Sequence, residues 1–383
     1  MAHMSSMSPI RVLYATHEPN LTGASRSLLD LLSALDRDKV EPTVLLRSHG
    51  PLECKLDEIG VKYVIIPYAL AVRGPQSKYP NWVMEAANSI AEKRVVRLLC
   101  DGCFDLVHSN SLLADIGMRA ARRAELPYVC HVRELVTEDH GLVFCDEFRT
   151  KDLMSHAAVN VFISRFVANK FSSWVDNAPK RIMNDAVELD GVAGRIEPPF
   201  SSPNVIKAFL PGRFALGKGQ LDAIKATKIA HDAGVPLELT LAGGVANQGY
   251  HDECVRYVAD NRMDYVRIKP FFEDVAAEYG KSDIVLMCSN AEAMGRVTVE
   301  GLLAGCLVIG ADAGATPEII RDGENGLLYK CGSPENLADR IVFAANNPGT
   351  AQSIASNALR NSNNFSSETY AAGIQALYET IVA

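Results

Sequence analysis

The sequence predicts two α/β domains, each built on a mainly parallel sheet. At 383 residues the chain is longer than one hydrophobic core usually supports, so two domains of ordinary size are expected. Short apolar runs alternate with helical patterns in both halves. A segment of turn signals, Asp190-Gly191, Pro198-Pro199 and Pro203, divides that alternation into two series.

The first series opens with residues 10–15 (IRVLYA), an apolar run suited to a buried parallel strand. The run stops before His17, and the loop 17–25 carries Gly23 ahead of a helical pattern over 26–35. Such a strand, loop and helix gather ligands at the carboxyl end of the strand. Residues 43–46 and 61–67 repeat the strand pattern, with a helix over 52–60 closed by Gly60 between them. A long helix is expected over 83–99, a strand over 105–109, and a helix over 111–125 that ends in Arg119, Arg122 and Arg123. That basic cluster reads first as a solvated helix face and second as a contact for anionic lipid or a phosphorylated acceptor. Strands over 128–131 and 159–163 complete the series, the former delivering His131 into a loop.

The second series begins at 208–213, with a glycine-bearing loop over 211–219 and a helix to His231. Strands follow at 238–242, 266–268, 283–287 and 306–310, with helices near 252–261 and 275–280. Between the last two strands stands EAMGRVTVE, which sets Glu292 and Glu300 eight residues apart around Gly295-Arg296. With a helix starting at Gly295, Glu292 lies in the loop at its N-terminus and Glu300 within it. Such a loop can offer backbone N–H groups and the positive end of a helix dipole to an anion, with one carboxylate on either side for hydroxyls. A sugar-nucleotide would suit it. Residues 366–382 form a last helix.

Composition narrows the class. Hydrophobic residues make up 48% and charged residues 22%, as in a globular protein, and a net charge of −8 argues against a general nucleic-acid binder. No apolar run reaches about 18 residues, so no transmembrane helix is expected. Residues 1–7 (MAHMSSM) read as an expression scar, because no apolar segment of about 7–15 residues follows a basic start. Nine cysteines, most of them in apolar segments, suggest free thiols in a reducing cytoplasm. Cys100-Asp-Gly-Cys103 has the C-x-x-C spacing but no second pair, and reads as a helix end and turn.

Arg213 and Lys218, five residues apart on a loop at a strand end, can converge on one diphosphate. A basic pair in a loop is usually surface charge. The flanking Gly212 and Gly219 allow close backbone approach and favour the phosphate reading. They would neutralise charge on a leaving diphosphate, the part a metal ion would otherwise take. The D-x-D pattern at Asp36-Arg37-Asp38 sits at a helix end and reads as turn residues, so no metal and no cofactor are expected.

These motifs together resemble the retaining glycosyltransferases of the GT-B fold, specifically family 4 (glycosyl transferases group 1), over essentially the whole chain. The residues that carry the resemblance are Gly212-Arg213 with Lys218-Gly219, Glu292 and Glu300 around Gly295, Ala304-Gly305 with Val308-Ile309, Gly314 with Pro317-Glu318, Asp322-Gly323 with Gly326, and Asn184-Asp185-Ala186-Val187. The resemblance implies two Rossmann-like domains facing across a cleft. Residues 8–188 would be the acceptor-side domain, 189–204 the linker, 205–365 the nucleotide-sugar domain, and 366–383 a helix crossing back to the first.

It also implies roles. Arg213 and Lys218 would bind the donor diphosphate, Glu300 the ribose hydroxyls, and Glu292 the sugar hydroxyls. The backbone of Met294, Gly295, Arg296 and Val297 would approach sugar and phosphate. Gly23 would lie under the phosphates, Phe272 near the base, and His131 near the anomeric carbon once the cleft closes. His17 and His108 end strands of the same sheet and are weaker candidates. The chain departs from the family where Thr22-Gly23 and Gly314-Ala315 replace glycine pairs, where Asn184-Asp185 replaces Asn-Gly, and where Cys288-Ser289 replaces proline-serine. None of these removes a charge. They alter loop shape, and with it donor choice.

The expected function is retaining transfer of a sugar from a nucleotide-sugar to an acceptor hydroxyl, through front-face departure and attack, in polysaccharide, glycolipid or other glycoconjugate synthesis. A UDP-sugar is the favoured donor and a GDP-sugar the second. The acceptor class stays open among glycan, lipid-linked and small-molecule acceptors, and the oligomeric state is open too. A sugar-nucleotide epimerase, an α-glucan phosphorylase and a non-catalytic sugar-nucleotide-binding module are the alternatives. A cytoplasmic location is expected, with peripheral contact at the inner membrane face as a variant, and no nucleic-acid partner.

Overall fold

The computed structural model describes residues 8–74, 77, 79–175, 178–189, 198–201, 205–271, 275–360 and 362–383. The chain divides into two compact units, residues 1–186 with 365–383, and residues 187–364.

The first unit holds a parallel seven-stranded sheet. Its strands are β1 (Ile10–Ala15), β2 (Val40–Leu46), β3 (Lys62–Ile65), β5 (Leu106–Ser109), β6 (Tyr128–Val132), β8 (Val159–Phe162) and β9 (Lys180–Ile182), in the order β3-β2-β1-β5-β6-β8-β9. A two-residue antiparallel pair, β4 (Val72–Arg73) and β7 (Val143–Phe144), stands apart. The sequence order turns back between β1 and β5, the position at which open α/β sheets bind ligands.

β2 starts at Val40, three residues before the expected start. Pro42 is tolerated because β3 pairing begins only at Thr43 and Lys62, so no bond to β3 is lost at the proline. The helix expected over 111–125 is shorter, Ile116–Arg123. The Ser109 hydroxyl donates to the carbonyls of Ser111 and Ala114, and Ser111 Oγ accepts from Leu113 N–H, which holds a turn there in place of helix. The last helix, Ser367–Val382, inserts Tyr370, Ala371, Ile374 and Tyr378 into the core beside Leu28, Leu31 and Leu32 of the helix Gly23–Ala34. Each large apolar side chain buried in this way contributes about 1.5–3 kcal/mol.

The second unit is a parallel six-stranded sheet. Its strands are β10 (Ile206–Pro211), β11 (Leu237–Ala242), β12 (Val266–Lys269), β13 (Ile284–Met287), β14 (Leu307–Ala311) and β15 (Leu327–Tyr329), in the order β12-β11-β10-β13-β14-β15. The order reverses between β10 and β13. Helices cover the sheet, and Ile224, Leu239, Ile284, Leu307 and Ile341 are among its fully buried core residues. Most of the stretch expected as a linker, 189–204, lies outside the described residues, as do Phe272 and residues 1–7.

Candidate active site

Three loops meet at the carboxyl edge of the second sheet. The first follows β10 and contains Gly212 to Gly219, the second follows β13 and contains Cys288 to Gly295, and the third follows β14 and contains Gly314. The first two stand on either side of the β10–β13 reversal. Lys218 Nζ donates to Glu292 Oε2 at 2.8 Å and so bridges that point, with both side chains partly exposed.

Backbone packing holds the pair in place. Gly219 has φ of +72°, and a Cβ there would lie 2.2 Å from the Cys288 carbonyl oxygen. Gly314, at φ of +61°, leaves room for Glu292, whose backbone nitrogen would stand 2.5 Å from an added Cβ. Ala315 N–H then donates to the Glu292 carbonyl at 2.9 Å. Only glycine satisfies both the left-handed φ and the close approach.

Gly219 and Gly295 are the N-cap residues of the helices Gln220–Asp232 and Arg296–Leu303, and neither helix has a side-chain cap. By contrast, Ser164, Ser333 and Ser366 cap helices elsewhere with their hydroxyls. Glu300 lies one turn into the second helix. Its Oε2 accepts from the buried Tyr279 hydroxyl at 2.7 Å, and its Oε1 is 3.8 Å from Arg296 Nε. Burial beside the Glu300 carboxylate raises the Tyr279 pKa well above the ordinary value, so the phenol stays a donor. Arg213 is exposed and makes no ion pair among the described residues. The arrangement joins one fixed cation, one exposed cation, two carboxylates and two helix N-termini at one sheet edge.

In the first unit His131 occupies a different setting. Its ring is fully buried. His108 Nε2 lies 3.1 Å from His131 Nδ1, Arg133 Nη2 lies 3.3 Å from the same nitrogen, and the Tyr378 hydroxyl lies 2.5 Å from His108 Nδ1. Arg133 also forms an ion pair with Asp185 and donates to the Tyr370 hydroxyl at 3.1 Å. A guanidinium can only donate, so His131 Nδ1 accepts. His108 must therefore carry its proton on Nε2 and accept from Tyr378 on Nδ1. His131 Nε2 then holds a proton, 3.9 Å from Asp185 Oδ1 and without a hydrogen-bond partner.

The protein matches the family model for glycosyl transferases group 1 over residues 198–361, and that for a glycosyl transferase 4-like domain over residues 22–183. The chain belongs to the glycosyl transferases of group 1. It is 25% identical to the phosphatidyl-myo-inositol mannosyltransferase of Mycobacterium leprae, over 82% of this chain and 87% of that one. It is 24% identical to an uncharacterized glycosyltransferase of Methanocaldococcus jannaschii, over 72% and 76% of the two chains. The Anabaena protein HepE, solved in complex with UDP and glucose, superposes with a TM-score of 0.77 at 20% identity, covering 97% of this chain and 100% of that one. The fold of this glycosyltransferase is GT-B.

Within the glycosyltransferase, Lys218, Glu292, Met294, Gly295, Arg296, Val297 and Glu300 all stand on the two loops at the β10–β13 reversal and the helix that follows them, and Arg213 stands on the first loop. Gly23 is the exposed first residue of its helix, in the other unit. His131 belongs to the buried network of that unit. Tyr279, Gly314 as the space for Glu292, and the Arg133–Asp185 pair were not given roles by sequence reasoning. Tyr279 sits in the helix Val275–Lys281 with no spacing that links it to Glu300. Among the described residues no group of three or more His, Cys, Asp or Glu side chains could hold a metal ion, and no helix is long and apolar enough to cross a membrane.

Burial lowers both histidine pKa values, His108 to about 3 and His131 well below 6.5, with Arg133 adding to each. A folded pKa below the unfolded one means that the unfolded chain binds protons more readily. Stability should therefore be full above about pH 6.5 and fall below it by roughly 1.4 kcal/mol per pH unit for each histidine. Asp115, pushed up by burial to about 6, titrates in the opposite sense and offsets about one histidine between pH 6 and 4. Urea titrations at pH 7.5 and 5.0 should show a net loss on acidification; equal stability would refute the neutral pair.

Proposed function

We propose that this glycosyltransferase moves a sugar from a UDP-sugar to an acceptor hydroxyl with retention at the anomeric carbon. The observation that carries the reading is the Lys218–Glu292 pair across the β10–β13 reversal, flanked by Arg213 and two N-termini without side-chain caps. Lys218 and Arg213 take the donor diphosphate, and their charge meets the negative charge that grows on it as the sugar leaves. Glu300, oriented by Tyr279, accepts from the ribose hydroxyls. Glu292, its backbone held against Gly314, accepts from sugar hydroxyls. The complex of HepE with UDP and glucose supports UDP as the nucleotide.

Front-face departure and attack suits this set, since the leaving phosphate can take the acceptor proton while the cations hold it. His131 keeps its Nε2–H as an unpartnered donor inside the first unit, where its ring is fully enclosed. Charge neutralisation is assigned to Arg213 and Lys218 without a divalent ion.

A thermal-shift series with UDP, GDP, UDP-glucose and GDP-mannose tests the donor, because a ligand that binds the folded state alone raises its stability. UDP compounds should raise the midpoint and GDP compounds should not. Slow release of UDP from UDP-glucose should continue in EDTA, with the α-anomer as first product. A β-anomer would overturn retention, and loss of release in EDTA would overturn the metal-free reading.

A further inference from the structure

A cavity of about 200 Å³ opens in the first unit between the helices Asn81–Asp101, Ile116–Arg123 and Glu147–Ser155. It adjoins the segments that follow β3, β5 and β6, the carboxyl side of the sheet, where α/β units bind ligands. This volume is below the roughly 300–1,000 Å³ of drug-sized pockets, a size that suits one small ring.

The wall is mixed in charge but internally matched. Arg119 Nη2 is 2.8 Å from Glu85 and 2.9 Å from Glu92, while Arg149 reaches Glu85 at 2.5 Å and Asp146 at 3.0 Å. An anionic ligand would have to break these pairs, so both guanidiniums are poorly placed to take one. Asp115 meets this set through Oδ2 alone. It is only 4% exposed, lines the cavity, lies 4.0 Å from Arg119 through Oδ2, and has no hydrogen-bond partner on Oδ1. A buried carboxylate oxygen without a donor is costly, and a ligand hydroxyl would relieve that cost. Trp82 forms part of the same wall and is 73% exposed, an aromatic face on which the C–H side of a sugar ring can lie.

We propose that this cavity is a subsite for one neutral sugar ring of the acceptor, with Asp115 accepting from a ring hydroxyl and Trp82 stacking on the ring. The assignment rests on the glycosyl-transfer reading for its purpose, but the binding is measurable without a donor.

The chain has two tryptophans, and Trp174 is packed between Phe144 and Phe171 at ring distances of 5.2 and 5.0 Å. Trp82 is therefore the reporter. The full chain would be titrated with methyl α-glucopyranoside, methyl α-galactopyranoside and methyl α-mannopyranoside, with glucose 6-phosphate and phosphatidylglycerol vesicles as contrasts. At least one neutral glycoside should change the fluorescence with saturation. The change should vanish in Trp82→Phe, and the affinity should drop about tenfold or more in Asp115→Ala. Asp115→Asn should recover part of the affinity, which a merely structural effect would not. Silence with all three glycosides, unchanged affinity in Asp115→Ala, or a response confined to glucose 6-phosphate or to vesicles overturns the proposal. If UDP raises thermal stability while the glycosides do nothing, this inference fails alone. If a glycoside binds through Asp115 and no nucleotide does, the transfer reading fails alone.

Discussion

Lys218→Ala and Glu292→Gln are each expected to lower the rate of sugar transfer from UDP-glucose by on the order of 10²–10³-fold, the cost of removing one placed charge or donor from a developing transition state. The pair is 2.8 Å apart, and both members are partly exposed at the sheet edge, so neither is there to hold the core. The two substitutions should differ in kind. Lys218→Ala removes the cation that meets the diphosphate, so it should weaken UDP binding as well as slow the reaction. Glu292→Gln keeps the shape and loses the charge, so UDP should still bind while the sugar is held less well. Steady-state rates together with UDP thermal shifts separate these effects. Wild-type rates in both variants would sink the site assignment.

Asp185→Ala is expected to destabilise the first unit by about 3–5 kcal/mol, because it strands the buried Arg133 guanidinium without its carboxylate. Arg133 is 5% exposed and Asp185 is 5% exposed, so little water reaches either to replace the lost partner. The Asp185 charge also keeps Arg133 protonated against the desolvation that opposes it. At about 2–4 °C per kcal/mol for a unit of this size, the midpoint should drop by roughly 6–20 °C. The double change Arg133→Met with Asp185→Leu should recover much of that loss, since a buried ion pair and a packed apolar pair are often close in stability. A drop below 1 kcal/mol in Asp185→Ala would show that the pair carries little weight.

How much was readable follows from burial. The central strands β13 and β14 are buried at every position, and β1 and β10 are buried over residues 12–15 and 208–210, so they carry short apolar runs that are visible in a linear text. The edge strand β9 reads Lys-Arg-Ile and is exposed at all three positions, and the pair β4 and β7 has two residues a side. Nothing in their composition marks them, because their pairing comes from partners far away in the chain. The helix expected over 111–125 lost its first turn to hydroxyl bonds that depend on where the chain folds back, which periodicity does not encode.

At the candidate site, residue types and local spacing pointed to two pairs, Arg213 with Lys218 and Glu292 with Glu300, since glycine-bearing loops and charged residues at strand ends leave a short-range trace, and the family resemblance joined the pairs into one site. Several things came from the tertiary structure instead. It set Lys218 against Glu292 across the sheet reversal, gave Glu300 a buried tyrosine from another helix, and enclosed His131 among residues from three distant parts of the chain. It also left Asp115 with an unpartnered oxygen in a cavity of its own. The sequence by itself determined the alternation of elements, because hydrophobic burial is periodic and local. Which side chains meet was decided in three dimensions, because hydrogen bonds and ion pairs reach only a few ångströms and join residues that can be hundreds of positions apart.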